Sequence, residues 1–390
     1  LKVFENKNVW FVFPGVICLL IGISFPTSKL YHQALTVLLW LPALFLMWTC
    51  RSEIRPILKT TLGLALLAFI LWSLISLLWS TAEDPFREAK HVLYVLLSLW
   101  GLRLLGLFPA VHLERVLVIA AYFMAALGFM FWIKMYILDD VRWHKRLVGL
   151  WQLDHSILAA HVFGFFMVLL YQLKPVSSRA LFSWAAALFA LATCLLFAQS
   201  KGVWLALIAV VFLTPIWRRE RVYLALSFIC LVGVLGVVLL APEFALQRGL
   251  SYRPELLREG FGLLLEGNLL VGLGLGSAFK LQLASVAAPF DHPHNIFLAI
   301  ALRFGLVGLL FWLVAWLAVA GLAWRQRSSR MGGAVLGVWL FATLALFSDG
   351  DGPWVKPQEV WFLTWIPFGL ALALQRLVSE GQHSFRHAPG

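Results

Sequence analysis

Apolar residues in this chain come in runs of roughly 17 to 25, separated by short polar joints, from one end to the other. Wound as a helix, such a run crosses the ~30 Å hydrocarbon core of a bilayer with every backbone group bonded internally. Charges and Trp or Tyr at the ends mark about twelve of them: 8–25, 30–49, 60–80, 89–108, 114–138, 153–173, 180–198, 203–217, 222–240, 294–324, 331–347 and 360–377. The tenth is overlong, so it should tilt or begin above the hydrocarbon. The short alternating segments of a β-barrel are absent. The pattern therefore predicts an all-α polytopic membrane protein whose residues 1–390 form a single domain.

One joint is long. Between the ninth and tenth runs, residues 241–293 mix Arg248, Arg253, Arg258 and Lys280 with Glu255, Glu259 and Glu266. Within it, Pro254 to Glu266 reads as a surface helix with Leu256, Leu257, Phe261, Leu264 and Leu265 on its apolar side. Loops of this length are functional or disordered, and the apolar content here argues against disorder.

Composition agrees with the pattern: 62% of residues are apolar and only 13% charged, against about a quarter charged in soluble domains. Short basic joints at Arg51/Arg55/Lys59, Arg103/Arg115, Lys174/Arg179, Arg218/Arg219/Arg221 and Arg325/Arg327/Arg330 fall on one side of a twelve-span count. By the positive-inside rule that side is cytoplasmic, with both termini. Most acidic residues fall opposite, so the net charge of +12 reflects topology and gives no reason to invoke nucleic acid. Cys18, Cys50, Cys194 and Cys230 are solitary, lie in or beside apolar runs and lack metal-ligand spacing. No small-residue cleavage pattern follows the first run, which is expected to remain as an anchor.

Candidate chemistry gathers on the outer face. His294-Asn295 sits where the long loop meets the tenth run, and an imidazole at a membrane surface can exchange protons near neutral pH without a large desolvation cost. Cations occur on this face against the topological rule: Arg142, Lys145 and Arg146, then Lys201 in the turn Gln199-Ser200-Lys201-Gly202, then Arg248 and Arg253. Arg303 lies about nine residues into the tenth run, within membrane depth. Snorkelling or a salt bridge accounts for any one of them; together, near a histidine, they suggest an anionic ligand. Asp349-x-Asp351 and Asp291-His292-x-His294 offer metal-ligand types. A solvated turn fixed by Pro353, or an acid that orients an arginine, accounts for the two aspartates as well. Gly272, Gly274 and Gly276 lack the βαβ setting of a nucleotide-binding loop and suggest a hinge or close backbone approach to a sugar or phosphate. Gly305 and Gly308 would let a neighbouring helix pack closely, and Trp143 and Trp151, flanking Arg146, could stack on sugar rings.

The sequence His294-Asn295-x9-Gly305-x2-Gly308, preceded by Gly272-Leu273-Gly274-Leu275-Gly276-Ser277 and by Gln199-Ser200-Lys201-Gly202, resembles the signature region of the O-antigen ligase family, which includes related polysaccharide polymerases. The resemblance covers 199–308 in order, and the twelve-run layout with Asp349-Gly350-Asp351 extends it over most of the chain. Lys201 stands where the family usually has arginine, keeping the charge without the bidentate fork, and His155 stands where relatives often carry asparagine.

The resemblance implies a fold like the C class of glycosyltransferases, in the bacterial inner membrane with a periplasmic active site. It implies metal-independent, inverting transfer of a glycan from undecaprenyl pyrophosphate to the core sugar of lipid A, with no cofactor and with membrane lipids around the donor. His294 would be the catalytic base, and Arg146, Lys201, Arg248, Arg253 and, less directly, Arg142 would meet the pyrophosphate. Asn295 would orient His294 or bind acceptor hydroxyls, with Asp349 and Asp351 supporting. The residues point the same way independently, since departing pyrophosphate needs counter-charge and a sugar hydroxyl needs a base. A polymerase using the same donor differs only in its acceptor. A flippase for lipid-linked oligosaccharides would require helices broken near mid-membrane and repeated halves, neither of which the sequence displays.

Overall fold

A computed structural model of the chain describes residues 7–240, 252–286 and 288–386. In chain order the apolar helices are α1 (Asn8–Ser24), α2 (Ser28–Thr49), α3 (Thr61–Leu78), α4 (Pro85–Leu105), α5 (Ala110–Leu138) and α6 (Ser156–Gln172). They continue as α7 (Ser178–Ala198), α8 (Lys201–Ile216) and α9 (Arg221–Leu240). After the loop helix α10 (Arg253–Glu266) come α11 (Ile296–Arg325), α12 (Arg330–Ser348) and α13 (Trp365–Arg386). All twelve apolar runs are thus helical. Among the described residues, eight helical segments are long and apolar enough to cross a membrane, and α1, α6 and α8 are shorter apolar helices. The starts follow local chemistry: Thr27, Thr60, Asp84, Asn295 and Ser329 each accept a hydrogen bond from a backbone N–H of the first turn. Asp84 is followed by Pro85, whose missing N–H costs nothing at a first helical position.

The core lies along α6, α11, α12, α13 and the turn 359–362 that precedes α13, where Trp312, Trp316, Trp361, Trp365 and Phe166 are fully buried. At the rim, α9 buries only Tyr223, as expected for an apolar helix that faces lipid on most sides.

The tenth run is one helix broken in two. Gly305 takes φ +65°, ψ −172° inside α11, where a Cβ would overlap the Leu270 carbonyl. Such a break strands backbone donors and acceptors, and the glycine-rich stretch of the loop satisfies them. Leu306 N donates to Leu269 O (2.9 Å) and Val307 N to Leu270 O (3.2 Å). In return, Leu273 N donates to Leu302 O (3.0 Å) and Gly274 N to Arg303 O (2.8 Å), while Trp72 Nε1 takes the Phe304 carbonyl (2.9 Å). The expectation that Gly305 serves helix packing is therefore corrected: it is the break itself. Gly308 does pack closely, with the Trp72 ring 3.1 Å from where its Cβ would stand. Gly272 likewise approaches the protein's own backbone, at Arg303 and Gly305, rather than leaving room for a ligand.

From the break to Arg325, α11 runs about 30 Å at 1.5 Å per residue, the thickness of the hydrocarbon. The stretch from the break onward is thus long enough to cross by itself, which accounts for the excess length of the run. The loop helix α10 also differs from expectation. Leu256 and Leu264 are buried against Leu298, Leu302 and Leu281, whereas Phe261 and Leu265 are 55% and 70% exposed. The folded loop and the start of α11, more than a bilayer surface, cover its apolar side.

Candidate active site

Helix α12 stops at Ser348, and the carbonyls of its last turn have no partners within the helix. Groups distant in sequence supply them. Asn295 Nδ2 donates to Phe347 O (3.1 Å) and Arg253 Nε to Ser348 O (2.6 Å), a cation at the negative end of a helix dipole. Gly202, at the start of α8, lies so close that a Cβ would run into Ser348 Oγ, so Lys201 enters the same neighbourhood. One turn earlier, Arg146 Nε donates to Ala198 O (2.9 Å) and its Nη2 to Gln199 O (3.5 Å). Gln199 is left-handed (φ +51°) and ends α7. The sequence-predicted Arg146, Lys201 and Arg253 thus gather around the α7–α8 turn and the end of α12. Arg142 is exposed, and no bond ties its side chain to this cluster among the described residues. Arg248 lies outside the described residues.

His294 precedes the α11 cap and directs Nδ1 to Asp349 Oδ1 at 2.8 Å. Its φ of +50° is left-handed, a conformation that costs a side-chain-bearing residue on the order of 1–3 kcal/mol. Buried Pro293 and buried Asn295 hold it from either side. Asn295 uses Oδ1 to accept from Leu298 N (3.0 Å) and Nδ2 to cap α12, so it joins two helix ends and is 5% exposed. Both ends of its amide are thus engaged within the protein.

Asp349 is 7% exposed. Burial by itself would raise its pKa, but the His294 hydrogen bond, the positive potential of His161 and His294 and the Gly350 N–H hold it below the usual carboxylate range. The solvated-turn reading of Asp349 therefore fails. Asp351 does orient an arginine: Arg303 Nη2 meets its Oδ1 at 2.7 Å and Nη1 its carbonyl at 2.6 Å. The His292 ring centroid lies 4.2 Å from that of His294, and its pKa is lowered by burial and by His294. Donor atoms of His292, His294 and Asp349 all fall within 4.8 Å of one another, a set that a divalent ion could use. Trp143 stacks on Tyr136 (5.5 Å, 8°), which commits one of its faces to the protein, while Trp151 stays 45% exposed.

Sequence reasoning passed over two features. His161, in α6 and only 3% exposed, lines a cavity of about 150 Å³ together with Asp349 and His292. A lone imidazole in an apolar helix was the available signal. Arg87, Glu88 and His91, on the first turns of α4, line a second cavity of about 480 Å³ that shares Asp351, Gly352 and Val355 with the first. Their charges looked like an ordinary interfacial helix start.

The family described as O-antigen ligase matches residues 185–313, which hold the α7–α8 turn, the loop and the broken part of α11. Across 375 residues, 94% of this chain and 90% of the relative, the sequence is 30% identical to an O-antigen ligase of Pseudomonas aeruginosa. This chain, an all-α polytopic membrane protein with an imidazole–carboxylate pair beside gathered cations, belongs to the O-antigen ligase family.

Proposed function

We propose that the protein transfers a glycan from undecaprenyl pyrophosphate to the lipid A core at the periplasmic face of the bacterial inner membrane, with inversion and without a metal. The observation that carries this reading is the 2.8 Å bond between His294 Nδ1 and the buried Asp349 carboxylate. With its Nδ1 proton committed to Asp349, the imidazole keeps the Nε2 lone pair for a substrate proton. The acceptor hydroxyl oxygen attacks the anomeric carbon, its proton passes to His294 Nε2, and the bond from carbon to diphosphate oxygen breaks with both electrons leaving on the diphosphate. Asp349 stabilises the imidazolium, and Arg253, Lys201 and Arg146 meet the departing charge. His294 and Asp349 suffice for the proton, so no ion is assigned to the nearby donor set. Both termini lie on the cytoplasmic side in this reading.

A flippase reading gains one broken helix, but the break in α11 stands a full hydrocarbon thickness from the far end of that helix, which suits a surface site better than a mid-membrane one. The deciding experiment incubates purified protein and His294→Gln with lipid-linked glycan plus either lipid A core or additional donor. Glycan joined to core by the wild type alone supports the proposal. Extended lipid-linked chains would make the protein a polymerase, and normal ligation by a well-folded His294→Gln would remove the base.

A further inference from the structure

The cavity of about 480 Å³ has no part in the chemistry just described, yet its size lies in the range of small-molecule sites. We infer that it receives the acceptor saccharide, a hydroxyl-rich and locally uncharged sugar terminus, and that the diphosphate of the donor does not occupy it. The inference rests on the assignment of His294 and Asp349.

Charge pairing on the cavity wall is the first argument. Arg87 Nε pairs with Glu88 Oε1 (3.1 Å), Lys280 with Asp291, and Arg303 with Asp351 (2.7 Å). Each cation on the wall thus has a carboxylate beside it, so the cavity offers no net field to a diphosphate. It offers instead alternating donors and acceptors at short intervals, the complement of a ring of hydroxyls. Arg253, by contrast, is bonded to the main-chain carbonyl of Ser348 rather than to a carboxylate, so no full negative charge is paired with it there.

Construction is the second. Glu88 is 7% exposed and is held by Arg87 on one side and by His91 Nδ1 (3.4 Å) on the other, so its carboxylate is oriented in advance. Gly276 (φ +78°) brings the loop backbone against it, where a Cβ would come within 2.5 Å of Glu88 Cγ. Trp354, fixed by its Nε1 bond to Ser73 Oγ (2.9 Å) and packed between the Phe69 and Trp365 rings, makes that side of the cavity rigid. Position is the third. Asp351, Gly352 and Val355 form a wall common to this cavity and to the smaller one lined by Asp349 and His292, so only that wall separates a sugar seated here from the cavity of the carboxylate that holds His294.

The test uses full-length protein in lipid nanodiscs, lipid-linked glycan as donor and lipopolysaccharide ending at the core as acceptor. Glu88→Gln keeps the shape of the side chain, and Lys280→Gln changes an exposed rim residue that folding does not require. Each should raise the acceptor KM, Glu88→Gln by about tenfold as expected for one charged hydrogen bond. The donor KM and the kcat at saturating acceptor should stay within about twofold. Binding of delipidated core oligosaccharide, measured by calorimetry without donor, should weaken in step and be unchanged in His294→Gln. Unaltered acceptor KM and binding in both variants, or a rise in donor KM instead, overturns the inference. Normal ligation by His294→Gln would defeat the base assignment alone, because the binding measurement still reports on this cavity.

Discussion

Asp349→Asn tests the imidazole–carboxylate pair most directly. Asparagine keeps the shape and one oxygen but loses the charge that would stabilise His294 as it takes a proton. Its amide can also donate to Nδ1, which moves the ring proton to Nε2, the nitrogen that has to accept. A hydrogen bond to a charged group contributes about 1.5–3 kcal/mol, and at 7% exposure Asp349 is little screened by solvent. At about 1.36 kcal/mol per factor of ten, the lost charge alone lowers kcat about 10- to 150-fold, and the tautomer exchange adds to this. Ligation by purified protein, with both substrates saturating, measures it directly. Asp349 touches no substrate in the mechanism, so both KM values should move far less than kcat. A well-folded Asp349→Asn with kcat within about twofold of wild type refutes the pairing as a catalytic device. The folding control has a definite sign. Asp349 titrates below the usual carboxylate range when folded, so its ionised form stabilises the protein above about pH 4, and that contribution disappears as pH falls through the lower folded value. Thermal melting of the variant should therefore be lower than wild type at neutral pH, and the gap should close in acid.

Gly305→Ala forces a side chain into φ +65° and against the Leu270 carbonyl; at about 1–3 kcal/mol of strain, or more once the seam opens, its melting temperature should fall clearly, and equal stability would count against the break. Arg253→Ala should lower kcat/KM for the donor by about 10- to 100-fold, with Arg253→Lys intermediate, and a change confined to the acceptor would take Arg253 away from the diphosphate. Activity should persist in excess chelator; loss that one divalent ion restores would turn His292, His294 and Asp349 into a metal site.

The helical layout was legible because a bilayer imposes length and apolarity on each crossing, and both are written in consecutive residues. The site was legible only by parts. His294 and Lys201 stand at junctions where polar residues interrupt the pattern, but the bond from His294 to Asp349 joins positions 55 apart, and no periodicity encodes it. Asn295 reads as a helix cap from its place before an apolar run, while its second bond to α12 depends on where that helix ends. Gly305 and the glycine-rich stretch suggested packing or ligand approach, since a glycine reports the need for space or unusual φ without naming the neighbour. Glu88 escaped notice because only the folded loop turns a helix start into the wall of a cavity.

The seam between the loop and the broken helix has a consequence for inheritance. Main-chain groups of 269–274 and 302–307 complete one another, so an insertion or deletion in either stretch alone strands donors and acceptors that nothing else satisfies. Length changes on the two sides must therefore be matched, and acceptor preference, whose cavity is also walled by the start of α4 and by 351–355, would not travel with the loop alone.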